Sequence, residues 1–327
     1  MRITLIIAIA ISAAAAVETT TSHAAPSMLD SVRSALERPA PKQAGALRAL
    51  PDRDLKAMAR TLATITVVGG EEVPVAKFPW QVSLSVRIGS DTFKCGGTLV
   101  DARHVLTAAH CLDQKDPRDM SSAVPAQAAD VRAGFGSNRY LTGDTAVSAV
   151  KVTLHPGWKT TGVALDNDAA LIELASDAPS AARPIPVRTV PIAPADGPLW
   201  VSGWGLTQTR ADADFYGPLQ AARVTAAGSC GYQLTSSMVC AGAPGKDSCS
   251  GDSGGPLVGG GLGNEQLVGI VSWGGSPCAR DDASGVYTRA SAVADWVRAA
   301  TGNSAVVTSA ALTPLFSIKN TNKGIVE

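Results

Sequence analysis

The sequence predicts an all-β domain, a barrel or a sandwich, from three observations. Short runs alternating apolar and polar residues recur from Val67 onward, as in Gln81-Val82-Ser83-Leu84-Ser85-Val86. Turn residues separate these runs at the intervals usual for barrels and sandwiches. Glycine is plentiful and charge is sparse, with 32 glycines and 17% charged residues in 327, which suits a loop-rich β protein better than a helical bundle.

The chain opens with Met1-Arg2, an apolar run from Ile3 to Ile11 and small residues to Val17. This reads as a secretory signal peptide over residues 1–24, cut after Ala16 or Ala24. The run is short for a spanning helix, and no later stretch is long and apolar enough to be one. Residues 25–66 place Met28, Leu29, Val32 and Leu36, then Leu55, Met58 and Leu62, at helical spacing, broken by Pro39, Pro41 and Pro51. They read as short amphipathic helices of a pro-segment, with a disordered leader as the alternative.

Further strands are predicted at 97–100, 147–154, 170–174, 199–202, 266–272 and 285–288. Residues 112–130 are polar, alanine-rich and proline-broken, so a long surface loop is expected. One helix is predicted over 290–300, with Val293, Trp296 and Val297 on one face and Gly302 as its stop. Residues 304–327 form a tail interrupted by Pro314; it either packs on the domain or frays, with a sorting or partner-binding role as the rival reading.

Lys plus Arg and Asp plus Glu both number 28, so no basic field favours nucleic acid and no polybasic run favours a membrane surface. Six cysteines in an exported chain imply disulfides. Six allow fifteen pairings, and spacing alone does not choose among them. The absence of a C-x-x-C pair argues against a zinc site.

Chemistry concentrates in Asp247-Ser248-Cys249-Ser250-Gly251-Asp252-Ser253-Gly254-Gly255-Pro256. A serine between glycines can sit on a sharp turn, present its hydroxyl, and leave nearby N–H groups free for a developing oxyanion. Such a loop alone is more often an ordinary turn. Three other segments change the weighting: Thr107-Ala108-Ala109-His110-Cys111, Asp166-Asn167-Asp168-Ala169-Ala170-Leu171-Ile172, and Val271-Ser272-Trp273-Gly274. His, then Asp, then Ser is a known chain order for a nucleophilic triad.

With Val67-Val68-Gly69-Gly70 and Ser202-Gly203-Trp204-Gly205 added, the chain resembles the chymotrypsin-like serine proteases, trypsin subgroup, from Val67 to about Gly302. The resemblance implies two six-stranded antiparallel barrels with a C-terminal helix, and a protease domain over residues 67–303. It implies Ser253 as nucleophile, His110 as base and then acid, Asp168 as the imidazole's orienter, and the N–H groups of Gly251 and Ser253 as the oxyanion hole. Ser272 would support Asp168, while Trp273 and Leu165 would wall the upstream substrate residues. Asp247 would floor the primary pocket and pair with a substrate Arg or Lys, with Gly274 and Gly285 keeping its walls open. The implied disulfides are Cys95 with Cys111, Cys230 with Cys240, and Cys249 with Cys278.

The resemblance further implies a secreted, extracellular or periplasmic endopeptidase made as a zymogen. Its new Val67 amine would pair with Asp252. Partners would be protein or peptide substrates with Arg or Lys, an activating protease, and proteinaceous inhibitors. No cofactor, metal, nucleic acid or membrane partner is expected. Thr66, not Arg or Lys, precedes Val67, so the enzyme is not expected to complete its own maturation; self-cleavage after Arg60 with trimming of Thr61 to Thr66 is the alternative. Phe135 stands where calcium-binding relatives carry an acidic ligand, and Pro277 and Ser284 depart from the usual pocket rim. A non-catalytic binding protein on the same fold is the alternative; an α/β-hydrolase esterase is disfavoured by the triad order.

Overall fold

The structure, a computed structural model, describes residues 67–116, 118–140, 146–159, 161–163, 165–205, 217–275, 278–279 and 284–313. The chain divides into two compact units, residues 1–65 with 209–213 and residues 66–208 with 214–327. All described residues belong to the second unit. The predicted signal peptide and pro-segment, Pro277, and residues 314–327 lie outside them.

After a short strand β1 (Glu71–Glu72), β2 (Gln81–Ile88), β3 (Asp91–Leu99), β4 (His104–Thr107), β5 (Val131–Gly134), β6 (Ala146–Leu154) and β7 (Ala170–Leu174) close a barrel in the order β2-β3-β4-β7-β6-β5. All its pairings are antiparallel. The alternation read in β2 is the reason for its register. Val82, Leu84 and Val86 face inward and are fully buried, joined there by Leu106, Ile172 and Leu174. Each such aliphatic side chain contributes roughly 1.5–3 kcal/mol on burial.

The second half adds β8 (Val187–Arg188), β9 (Pro198–Gly203), β10 (Gln220–Ala227), β11 (Met238–Gly242), β12 (Pro256–Gly259), β13 (Gln266–Trp273) and β14 (Gly285–Arg289). Strands β9-β10-β11-β14-β13-β12 form a ring closed by the β12–β9 pairing, so the second barrel is also six-stranded and antiparallel. Its core gathers Val201, Val224, Leu257, Val271 and Tyr287. Strand β10 was not legible in the sequence. Gln220-Ala221-Ala222-Arg223-Val224-Thr225 carries little β propensity, yet it pairs residue for residue with β9. Tertiary pairing overrides the local preference there.

The predicted helix is present as α1 (Ala290–Thr301), with Val293, Ala294 and Val297 buried and Gly302 at φ +64° as its left-handed cap. Trp296 stacks edge-on against His155, with ring centres 4.9 Å apart. Beyond the helix, the first ten tail residues pack on the domain. Strand β15 (Val307–Thr308) runs parallel to β8. The carbonyl of Ala310 accepts from Arg188 at 2.7 Å and from Gln266 at 3.2 Å. Leu312 packs against the second core, and Thr313 Oγ1 accepts from the Gly261 amide at 2.8 Å. Among the described residues, no helix is long and apolar enough to cross a membrane.

Candidate active site

His110 sits on a single 3-10 turn, Ala109–Cys111, just after β4, and Asp168 lies just before β7. Because β4 and β7 are hydrogen-bonded neighbours, the first barrel brings both residues together. The imidazole Nδ1 is 2.7 Å from Asp168 Oδ2, and the His110 backbone N–H donates to Oδ1 at 2.9 Å. Asp168 is fully buried. From the second barrel, Ser272 Oγ donates to Oδ2 at 2.5 Å, and Thr288 Oγ1 donates to the Asp168 carbonyl at 2.8 Å. The carboxylate holds the neutral imidazole with its proton on Nδ1 and leaves Nε2 bare. Burial alone would lower the His110 pKa. The charge and hydrogen bond of Asp168 outweigh burial and hold it above the ordinary 6.5.

The loop before Asp168 bends sharply, with Leu165 and Asn167 at φ +61° and +52°. Thr235 and Ser237 both donate to Asp166 Oδ1, Thr235 at 2.6 Å. These bonds tie the loop to the segment leading into β11. Leu165 is half-buried against the first core.

Ser253 comes from the second barrel, on the turn before β12, with Gly251 at φ +95° and Gly254 at φ +77°. Such angles suit glycine. The turn lies directly on the first barrel. Gly96 N–H donates to the Ser253 carbonyl at 2.7 Å, and a Cβ placed on Gly96 would come within 2.7 Å of Gly255 Cα. Ser253 and His110 line one cavity of about 430 Å³. Ser253 Oγ makes no hydrogen bond to His110; Nε2 instead lies 3.8 Å from Cys111 Sγ. Catalytic hydrogen bonds are often loose before substrate arrives. Neither the Gly251 nor the Ser253 amide donates a hydrogen bond among the described residues.

On the other side of Ser253 lies a cavity of about 200 Å³, lined by Ser248, Ser272, Trp273, Gly274 and Cys278 among others. Asp247, adjacent to Ser248, is 3% exposed. Its Oδ2 accepts from the Ala279 amide at 3.1 Å, while Oδ1 has no partner. Burial pushes its pKa up to about 6. A Cβ on Gly285 would fall 2.5 Å from Oδ1, so a side chain there would obstruct the carboxylate. Trp273 packs against Tyr232 at 4.8 Å.

Asp252 is fully buried and accepts from the Cys249 and Gly205 amides at 2.9 and 2.8 Å. Burial pushes it to about 7, and among the described residues it has no cationic partner. Val67 is buried, and the Val68 carbonyl accepts from the Asp247 amide at 3.2 Å, so this segment docks beside the pocket wall. All three disulfides join the pairs that the resemblance implied: Cys95–Cys111, Cys230–Cys240 and Cys249–Cys278. Phe135 is a buried core residue.

One network was missed by sequence reasoning. Asp113, three residues after His110, is buried at the start of the predicted surface loop. Its Oδ2 pairs with Lys159 Nζ at 2.8 Å and accepts from Trp158 Nε1 at 2.9 Å. Its Oδ1 accepts from the amides of Lys115 and Val124. This pair clamps the His110 turn to the loop that leads to Asp168. The only sequence signal was an acidic residue close to His110, in a stretch that otherwise reads as exposed.

Two comparisons with known proteins complete the picture. The family model described as Trypsin matches residues 67–297. The chain is 39% identical to Trypsin 5G1 of Aedes aegypti over 252 residues, 72% of this chain and 85% of that protein. It is 36% identical to Trypsin alpha-4 of Lucilia cuprina over 241 residues, covering 71% and 86%. Trypsin alpha of Drosophila melanogaster gives the same identity and coverage.

Proposed function

This chain belongs to the trypsin family and is a serine endopeptidase, and from that premise we propose that it cuts after Arg or Lys with Ser253, His110 and Asp168, and that it is exported as a precursor activated at Val67. Ser253 Oγ attacks the scissile carbonyl while His110 Nε2 takes its proton. The oxyanion is received by the amides of Gly251 and Ser253. Collapse breaks the C–N bond, and Nε2–H passes the proton to the leaving amine. Water then gives a proton to Nε2 and attacks the acyl-enzyme carbonyl. Its collapse releases the acid, and Ser253 regains its proton. Asp168 keeps Nδ1–H in place and balances the imidazolium charge. No step requires a cofactor.

The observation that carries the specificity is Asp247, a buried carboxylate with one oxygen unpartnered, beside Gly285, where any Cβ would crowd that oxygen. A buried anion of this kind is stabilised by a cation it can reach, and a substrate Lys or Arg supplies one. Proteinaceous inhibitors presenting the same side chains are expected to compete. Asp252 supports the precursor reading. It is ionised at a cost in the uncut chain, and a new α-amine at Val67 supplies its missing cation. Because Thr66 precedes Val67, a different protease makes that cut.

A cleavage profile on a peptide library tests the reading, with Ser253→Ala as the control. We expect cuts after Arg and Lys that vanish in the variant. Cuts after Phe or Leu would remove Asp247 from its role, and undiminished cutting by a folded Ser253→Ala would remove the triad. Incubating the Ser253→Ala precursor with mature enzyme alone tests maturation: a chain starting at Val67 would refute the need for another protease.

A further inference from the structure

A third cavity, of about 660 Å³, shares no residue with the candidate active site. It lies between the segment leading into β2, residues 181–185, and the turn joining β12 to β13. Its apolar lining includes Pro79, Trp80, Ile185 and Leu262. Two observations mark it as incomplete. Trp80 is 2% exposed, yet its indole N–H has no acceptor. Leu262 is 78% exposed, the most exposed large hydrophobic among the described residues. A buried donor without a partner and an aliphatic side chain in water are both unfavourable.

We propose that this groove is the docking site of residues 314–327 of the same chain, with Leu315, Phe316 and Ile318 packed against its apolar wall. The path of the preceding residues argues for this occupant. The tail crosses the second barrel through β15, Ala310 and Leu312, and Thr313 is fixed by the Gly261 amide and, at 3.5 Å, by Asn264. Leu262, Gly263 and Glu265, in the same turn, are one wall of the groove. At roughly 3.3 Å per extended residue, Leu315 and Phe316 reach the groove within two or three residues of this anchor. The next residues after Thr313 are Pro314-Leu315-Phe316-Ser317-Ile318, an apolar cluster matched to that lining.

A photocrosslinker tests the placement in the full-length chain. Phe316→p-benzoylphenylalanine should, on irradiation, crosslink within one chain to peptides containing residues 75–80, 181–185 or 262–265. Crosslinks to any other face, crosslinks between two chains, or none at all would overturn the proposal. Hydrogen exchange gives an independent reading. A chain ending at Thr313 should exchange severalfold faster at residues 75–80 and 183–188, with residues 247–256 unchanged. Equal exchange at the groove in the two chains would also overturn it.

Discussion

Asp168 and Asp247 are both buried, and their hydrogen bonding is opposite. Asp168 accepts hydrogen bonds from the His110 amide, the His110 ring and Ser272. Asp247 has an oxygen with no partner, and its pKa is pushed up to about 6. In the proposed function the first region is complete before substrate arrives, and the second is completed by the substrate's cation. A saturated carboxylate positions a neighbour, whereas a deprived one selects a ligand that brings the missing charge.

The largest expected effect breaks the saturated side. Asp168→Asn should lower kcat by about 10⁴, the magnitude this substitution has in the family's catalytic triad, because the amide favours the wrong imidazole tautomer. Steady-state kinetics on an amide substrate checks it, and a loss below tenfold would refute the role.

Next comes the deprived side. Asp247→Ser should reduce kcat/KM for Arg and Lys substrates by roughly 100-fold or more, since breaking a buried pair costs about 3–5 kcal/mol. The free enzyme should keep or gain Tm, because an unsatisfied buried oxygen is removed. A clear fall in Tm would show that Asp247 is structural.

The pH profile sharpens the contrast. With the His110 pKa held above 6.5, the acid limb of kcat/KM should lie above that value in the wild type and in Asp247→Ser. It should drop in Asp168→Asn, where the carboxylate charge is gone. A limb unchanged in Asp168→Asn would mean that another group sets it.

The smallest effect on turnover concerns Asp113 and Lys159, a saturated pair outside the reacting atoms, 0% and 2% exposed. Lys159→Met should cost about 3–5 kcal/mol of stability by stranding Asp113, while changing kcat less than tenfold. Burial alone would raise the Asp113 pKa, but the Lys159 bond and backbone donors hold it below 3.8. Its stabilisation is therefore full above the ordinary aspartate value and lost as pH falls through the lowered one. Chemical denaturation at pH 7 and pH 3 measures both points; no difference between wild type and variant at pH 7 would show that the clamp contributes nothing.

The sequence made legible those parts where chemistry restricts residue identity. His110, Asp168, Ser253 and Asp247 stood in motifs, and alternation in β2 and the 3.6-residue pattern of α1 identified those elements. Strand β10 was hidden because alanines carry no strand signal. The Asp113–Lys159 pair was hidden because its members are distant in sequence and each looks like an ordinary surface charge. The fate of residues 304–313 turned on Arg188, Gln266 and Gly261, none of which signals a tail-binding role by itself.

The contact between Gly96 and Gly255 bears on how this protein can evolve. Backbone rests on backbone at the junction of the barrels, with 2.7 Å between the Ser253 carbonyl and the Gly96 amide. The nearest side chain, Thr107, is itself tied to the Gly96 carbonyl at 2.7 Å and leaves no slack to absorb change elsewhere. Even one added methyl at Gly96 would separate the serine's turn from the histidine's barrel. Heritable variation in activity is thereby channelled away from the seam and into the loops around it, where residues can be exchanged without moving Ser253 relative to His110.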